Sequence, residues 1–218
     1  MNPIIRTIES LDWMTLALVL SMLVMTLGKY LFQTKFLNFL ILPFNNKYIM
    51  LSNKKGRLLN WFHIFMTIFQ FINLSLFIFL INKAWNGTSN QDTFEVFLIT
   101  IALVIVFQTV KIFLQLFKAF AFNTQELVWD VIYNKTTYFN HSSLVMFLSN
   151  IILIYILNNS KTVIYIAIGL ILLINAIGLI KLVKNHQKVI VSYLFYFILY
   201  LCALEIAPLV VIGSYLKG

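Results

Sequence analysis

The residue in this chain with the clearest capacity for chemistry is Glu205. It stands in the apolar run YLCALEIAPLVV, three residues before Pro208. An ionisable group at the centre of a membrane helix costs about 2.5–3.5 kcal/mol on insertion scales, so something must compensate it. Pro208 has no N–H to offer the carbonyl of Leu204, which leaves an acceptor free beside Glu205 as a helix break. A protonated Glu205 could donate to that carbonyl or to a neighbouring helix. Two readings follow: a proton-relay or ion-coupling acid, or a structural group that locks its helix to the next. Its candidate partners are few. Lys111 is displaced by about 10–15 Å along the membrane normal at 1.5 Å per residue. Asn73 and Asn175 lie nearer mid-depth and are the better hydrogen-bond candidates.

The remaining polar groups point to interfaces more than to catalysis. Lys111, Gln115 and Lys118 recur at i, i+4 and i+7, so they share one helix face. That spacing suits cations snorkelling to the membrane surface, or a polar stripe lining a cavity. His63 and His141 sit where apolar runs begin, and His186 lies in a polar stretch. Two histidines at helix ends on one side could hold haem or a metal. No HExxH, CxxC or His-x-Glu pattern accompanies them, so interfacial histidines and no metal or cofactor are expected. There is no P-loop, no GxSxG and no acidic cluster. Cys202 is the single cysteine, which excludes an intrachain disulfide. Gly169 and Gly178, with Ala167 and Ala176, suggest close helix packing.

These residues must be positioned by membrane helices. The chain has 218 residues, 61% hydrophobic and 11% charged, with a mean hydropathy of +0.91. Soluble domains run nearer 45–50% apolar and about 25% charged. The expected class is therefore all-α, a polytopic membrane helix bundle forming one domain over residues 1–218. Six transmembrane helices are expected, over residues 11–32, 58–81, 94–117, 143–157, 162–183 and 189–215. No signal-peptide cleavage pattern precedes the first, which reads as a retained span. The net charge of +9 is explained by sidedness. Of the sixteen Lys and Arg residues, twelve fall in or beside the three loops that six crossings place together. Cytoplasmic loops collect Lys and Arg, so both termini are expected outside, with no nucleic-acid role.

Two of the basic segments read as more than connectors. Residues 33–57 contain an apolar stretch, Phe36 to Leu42, too short to span and ended by Pro43. A short helix in the headgroup plane is expected there, with a second touch at Tyr48 to Leu51. Lys54, Lys55 and Arg57 would meet anionic lipid. In residues 119–140, Asn123 and Glu126 give an N-cap signature. Leu127, Val128, Val131 and Ile132 form one apolar stripe, with Glu126, Asp130 and Asn134 opposite. A second interfacial or partner-binding helix is expected there.

The stretches PFNNKYIMLSNKKGRLLNWFHIF, KAFAFNTQELVWDVIYNKTTYFNHSS and FYFILYLCALEIAPLVV carry a family resemblance. They resemble an uncharacterised family of inner-membrane proteins found in the Bacteroidota, from about Phe32 to the end of the chain. Leu201, Cys202, Leu204, Glu205 and Pro208 carry most of the likeness. The resemblance implies a bacterial inner-membrane protein with no established active site. Restriction to one phylum points toward its envelope machinery, such as secretion and gliding apparatus. Three roles are in play. One is a non-catalytic accessory or scaffold subunit, with a protein partner or a second copy as its neighbour in the bilayer. Another is a small transporter or proton-coupled component using Glu205. A third is a haem- or lipid-binding membrane enzyme.

Overall fold

A computed structural model describes residues 12–45, 49, 60–86, 94–121 and 125–185. All regular structure among the described residues is helical. The order is α1 (Asp12–Leu31), α2 (Gln33–Leu40), α3 (Trp61–Asn86), α4 (Phe94–Ala121), α5 (Gln125–Ile151) and α6 (Lys161–Asn185). A single π-helical turn, Ile152–Ile156, extends α5. Helices are what apolar segments of this length must form, because hydrocarbon offers no partner to an unpaired backbone N–H or C=O. Five of them are long and apolar enough to cross a membrane: Asp12–Leu31, Trp61–Trp85, Phe94–Phe117, Val128–Ile156 and Lys161–Lys184. The chain is a multi-pass membrane protein by this measure. The sixth expected span, residues 189–215, lies outside the described residues, as do Glu205, Pro208, Cys202, His186, Lys54, Lys55 and Arg57.

Named contacts fix how neighbouring helices run. The Trp13 ring, at the start of α1, meets Phe79 near the end of α3 at 5.1 Å and Phe97 at the start of α4 at 5.1 Å. Successive spans α1, α3 and α4 are therefore antiparallel. α5 runs parallel to α3, since His63 faces Tyr133, Phe69 faces Phe147, and Asn150 reaches the backbone of Asn73. α6 returns antiparallel along α5, where Gly178 lies against Tyr138. The turn between α5 and α6 closes through Asn159 at φ 58°, a left-handed position that Asn tolerates.

Burial separates centre from rim. In α3 and α5 about half of the most apolar window is buried in the fold, 56% and 50%, against 11% in α4. α3 and α5 thus form the middle, and α4 packs by one narrow stripe. Its other faces carry Ile99, Leu103, Val106, Phe113 and Phe117, all exposed, as suits a helix bathed in acyl chains. Two apolar clusters fill the bundle. One gathers Met14, Leu76, Phe79, Phe97, Met146 and Ile164 at the end where α3 finishes. The other joins Phe36, Phe39, Leu42, Ile49, Phe62 and Tyr138 at the end where α3 begins, here termed the α2 end.

Two sequence expectations change. The short helix in residues 33–57 does form, as α2, but it is folded onto the bundle and does not merely float among headgroups. Phe36, Phe39 and Leu42 are buried, and Phe39 meets the Phe62 ring edge-on at 5.7 Å. The expected fourth span at 143–157 and the separate amphipathic helix before it are in fact one continuous helix, α5. The apolar window of α5 begins at Val128, and Asn134, placed on the outer polar face by its sequence, is buried at 6% exposure. Residues 134–150 look too polar to cross lipid when hydropathy alone is read. Their polar side chains are turned into the bundle, where Asn140 and Asn150 donate to α3 and Ser142 accepts from Asn175 of α6. Asn123 itself lies outside the described residues.

Candidate functional site

The buried polar residues of α3 and α5 form a seam. On α3, His63, Thr67, Gln70 and Asn73 recur every three or four residues and so share one face. On α5, Asn140, Ser143, Phe147 and Asn150 do the same. Nearest the α2 end, the His63 ring lies against the Tyr133 ring at 5.2 Å. One turn further in, Asn140 Nδ2 donates to Thr67 Oγ1 at 3.0 Å, and the Thr67 hydroxyl donates onward to the His63 carbonyl at 2.8 Å. Next comes an aromatic pair, Phe69 and Phe147, with centroids 5.7 Å apart. Beyond it, Asn150 Nδ2 donates to the Asn73 carbonyl at 3.0 Å, while Asn73 Nδ2 donates to the Phe69 carbonyl at 2.8 Å. Asn73 and Asn150 are both completely buried.

A second line of contacts joins α5 to α6 and α2. Asn175 Nδ2 donates to Ser142 Oγ at 3.0 Å and to the Ile171 carbonyl at 2.8 Å. Lys181 Nζ donates to the carbonyls of Leu42 and Pro43, at 3.2 and 2.9 Å, immediately past the end of α2. A cation there suits carbonyls left unpaired at a helix C-terminus. His141 Nε2 lies 3.3 Å from the Leu40 carbonyl, so this nitrogen carries the proton in that contact, and the ring lies 5.3 Å from Phe39. Lys35 Nζ donates to Asn60 Oδ1 at 2.9 Å. The tail of α2 is thus held from α5 and α6 at once.

Several residues singled out by sequence now have places. Asn73 is in the seam and Asn175 is on the α5–α6 contact, each donating through its amide nitrogen. Lys111 is half-buried and Gln115 is buried at 4% exposure, so these two members of the α4 stripe turn inward. His63 and His141, expected at helix ends, are both buried against neighbouring helices. Among the described residues, no three His, Cys, Asp or Glu side chains converge. Of the small residues, Ala167 and Gly178 are buried, whereas Ala176 and Gly169 are exposed.

Sequence reading missed Thr67, Asn140, Asn150 and Lys181 as structural contacts, and Gln70 as a buried polar group. A usable signal was there: polar residues at helical spacing within two apolar stretches, which only a buried face explains.

A family model described as a domain of unknown function, DUF4271, matches residues 14–216. The chain belongs to the DUF4271 family. The match spans all five described crossings of this DUF4271 chain and continues through the region of Glu205 and Pro208. No curated protein and no solved structure matches it.

Proposed function

We propose that this DUF4271 protein is a non-catalytic subunit of a bacterial envelope complex, a rigid inner-membrane platform on which partners assemble. One observation carries the reading: the buried polar side chains of the bundle are used to tie helix to helix. Asn140 joins α5 to α3, Asn150 does so again, Asn175 joins α6 to α5, and Lys181 and His141 hold the end of α2. Such contacts stiffen a bundle, each contributing about 0.6 kcal/mol on average. In this proposal the α2 end faces the cytoplasm, both chain termini lie outside, and Lys54, Lys55 and Arg57 rest on anionic lipid. The basis is the concentration of twelve of the sixteen basic residues on one side. Crosslinking in native membranes followed by purification in mild detergent tests the proposal. A reproducible heterologous partner is expected. Recovery of the chain alone, as monomer or homo-oligomer, overturns it.

A second reading, proton-coupled transport through Glu205, draws support from the polar seam inside the bundle. Glu205→Gln keeps the shape and hydrogen-bonding capacity of the side chain but cannot exchange a proton. Loss of the cellular phenotype with normal membrane abundance would favour coupling. Full complementation by the variant removes it.

A further inference from the structure

The seam between α3 and α5 contains amide oxygens that the protein itself does not satisfy. Asn73 Oδ1 and Asn150 Oδ1 have no donor among the described residues, although both side chains are wholly buried. Their orientation is set by chemistry. Asn73 turns its nitrogen to the Phe69 carbonyl and Asn150 turns its nitrogen to the Asn73 carbonyl, so exchanging N and O in either amide would set two acceptors against each other. Gln70 Nε2, one turn along α3 from Asn73, is likewise buried without an acceptor among the described residues. Nearer the α2 end, Asn140 Oδ1 is in the same condition, its nitrogen being committed to Thr67.

We propose that the Asn73–Asn150 pair is an internal binding site for ordered water, bridging α3 and α5 in the middle of the membrane. The inventory of atoms selects this ligand. Two acceptors and a nearby N–H call for a small molecule with two donors and free lone pairs, and a buried water characteristically makes about three hydrogen bonds to groups the protein leaves unpaired. A metal cation fits less well. Amide oxygens are neutral, and an added positive charge here would enter a chain already at +9. The site lies beyond the Phe69–Phe147 pair when approached from the α2 end. Along the seam the two rings stand between the Thr67–Asn140 contact and the Asn73–Asn150 pair. This inference stands apart from the subunit proposal, since a platform and a transporter could each hold such a water.

Radiolytic hydroxyl-radical labelling of the full-length chain in nanodiscs, read by mass spectrometry, tests it directly. Radicals formed from a bound water label the side chains beside it, and oxygen-18 water identifies their source. The reference is Phe107, an exposed residue within the α4 span and away from the seam. Phe69 and Phe147 are expected to take up oxygen several-fold faster than Phe107. In the Asn73→Leu, Asn150→Leu double variant, labelling of Phe147 is expected to fall by half or more. Labelling of Phe69 and Phe147 no faster than Phe107 in the unaltered protein overturns the water site. Undiminished labelling in a folded double variant overturns its assignment to this pair.

Discussion

At the scale of single residues, the two glycines of α6 make opposite demands. A Cβ on Gly178 would stand 2.5 Å from Tyr138 Cγ and 2.6 Å from its Cδ2, closer than packed carbons approach. Tyr138 is itself buried at 1% exposure and has little room to retreat. A Cβ on Gly169 would meet nothing within 4 Å. Gly178→Ala should therefore destabilise the folded protein by about 1–3 kcal/mol, the usual cost of overpacking. Gly169→Ala should be neutral or stabilising by up to about 1 kcal/mol through helix propensity. Thermal unfolding in one detergent compares the two, and equal melting temperatures would contradict the close approach of α5 and α6. Sequence pattern named both glycines as packing residues. It could not separate them, because the choice depends on which face of α6 meets α5. Asn175→Leu is a milder change. It removes the Ser142 contact and should cost about 0.6 kcal/mol, the average for interhelical bonds of this kind. A loss above about 2 kcal/mol would mean that Asn175 supports more than this one contact.

Among the elements, α2 was legible in the sequence and α5 was not, for related reasons. The stretch Phe36 to Leu42 is apolar, short and closed by Pro43, so its length alone excludes a crossing. The polar residues of α5 lower its hydropathy, and a reading by average hydrophobicity splits it into an interfacial piece and a short span. Only its neighbours show that Asn134, Asn140, His141 and Asn150 are buried within one helix. The same neighbours determine how α2 is held. Its apolar face rests on Phe62, while Lys181 takes the carbonyls of Leu42 and Pro43. Lys181→Met keeps the aliphatic stem and removes the donor. Each lost bond from a charged donor is worth about 1.5–3 kcal/mol at most, and less here because Lys181 is only half-buried. The variant should open α2 without unfolding the bundle. Chymotrypsin cleavage after Phe36 or Phe39 in membrane vesicles is expected to rise several-fold, with little change in melting temperature. An unchanged cleavage rate would mean that the aromatic contacts alone secure α2.

Across the whole molecule, the number of crossings decides where every loop lies. Five helices are long and apolar enough to cross, and α1, α3, α4, α5 and α6 alternate in direction, so position 185 lies at the end of the bundle opposite to residue 12. Charge supplies the sign that geometry leaves open. Lys29 and Lys35 flank the end of α1, Lys181 and Lys184 close α6, and both places belong to the α2 end. Lys and Arg are retained on the cytoplasmic side within roughly 15–20 residues of a span, which is the basis for the proposed orientation with the α2 end inside the cell. A fluorescent reporter fused after Asn185 should then fold in the cytoplasm and shine, and alkaline phosphatase at the same point should stay inactive. The segment that follows, residues 189–215, is apolar over more than the roughly 20 residues a span needs. Fusions after Gly218 should therefore give the reverse pattern, with active phosphatase and a dark fluorophore. The paired design separates the two inferences. A dark fluorophore at Asn185 reverses the orientation drawn from the basic residues. A bright fluorophore at both points keeps that orientation but removes the sixth crossing, and with it the membrane depth on which a coupling role for Glu205 depends.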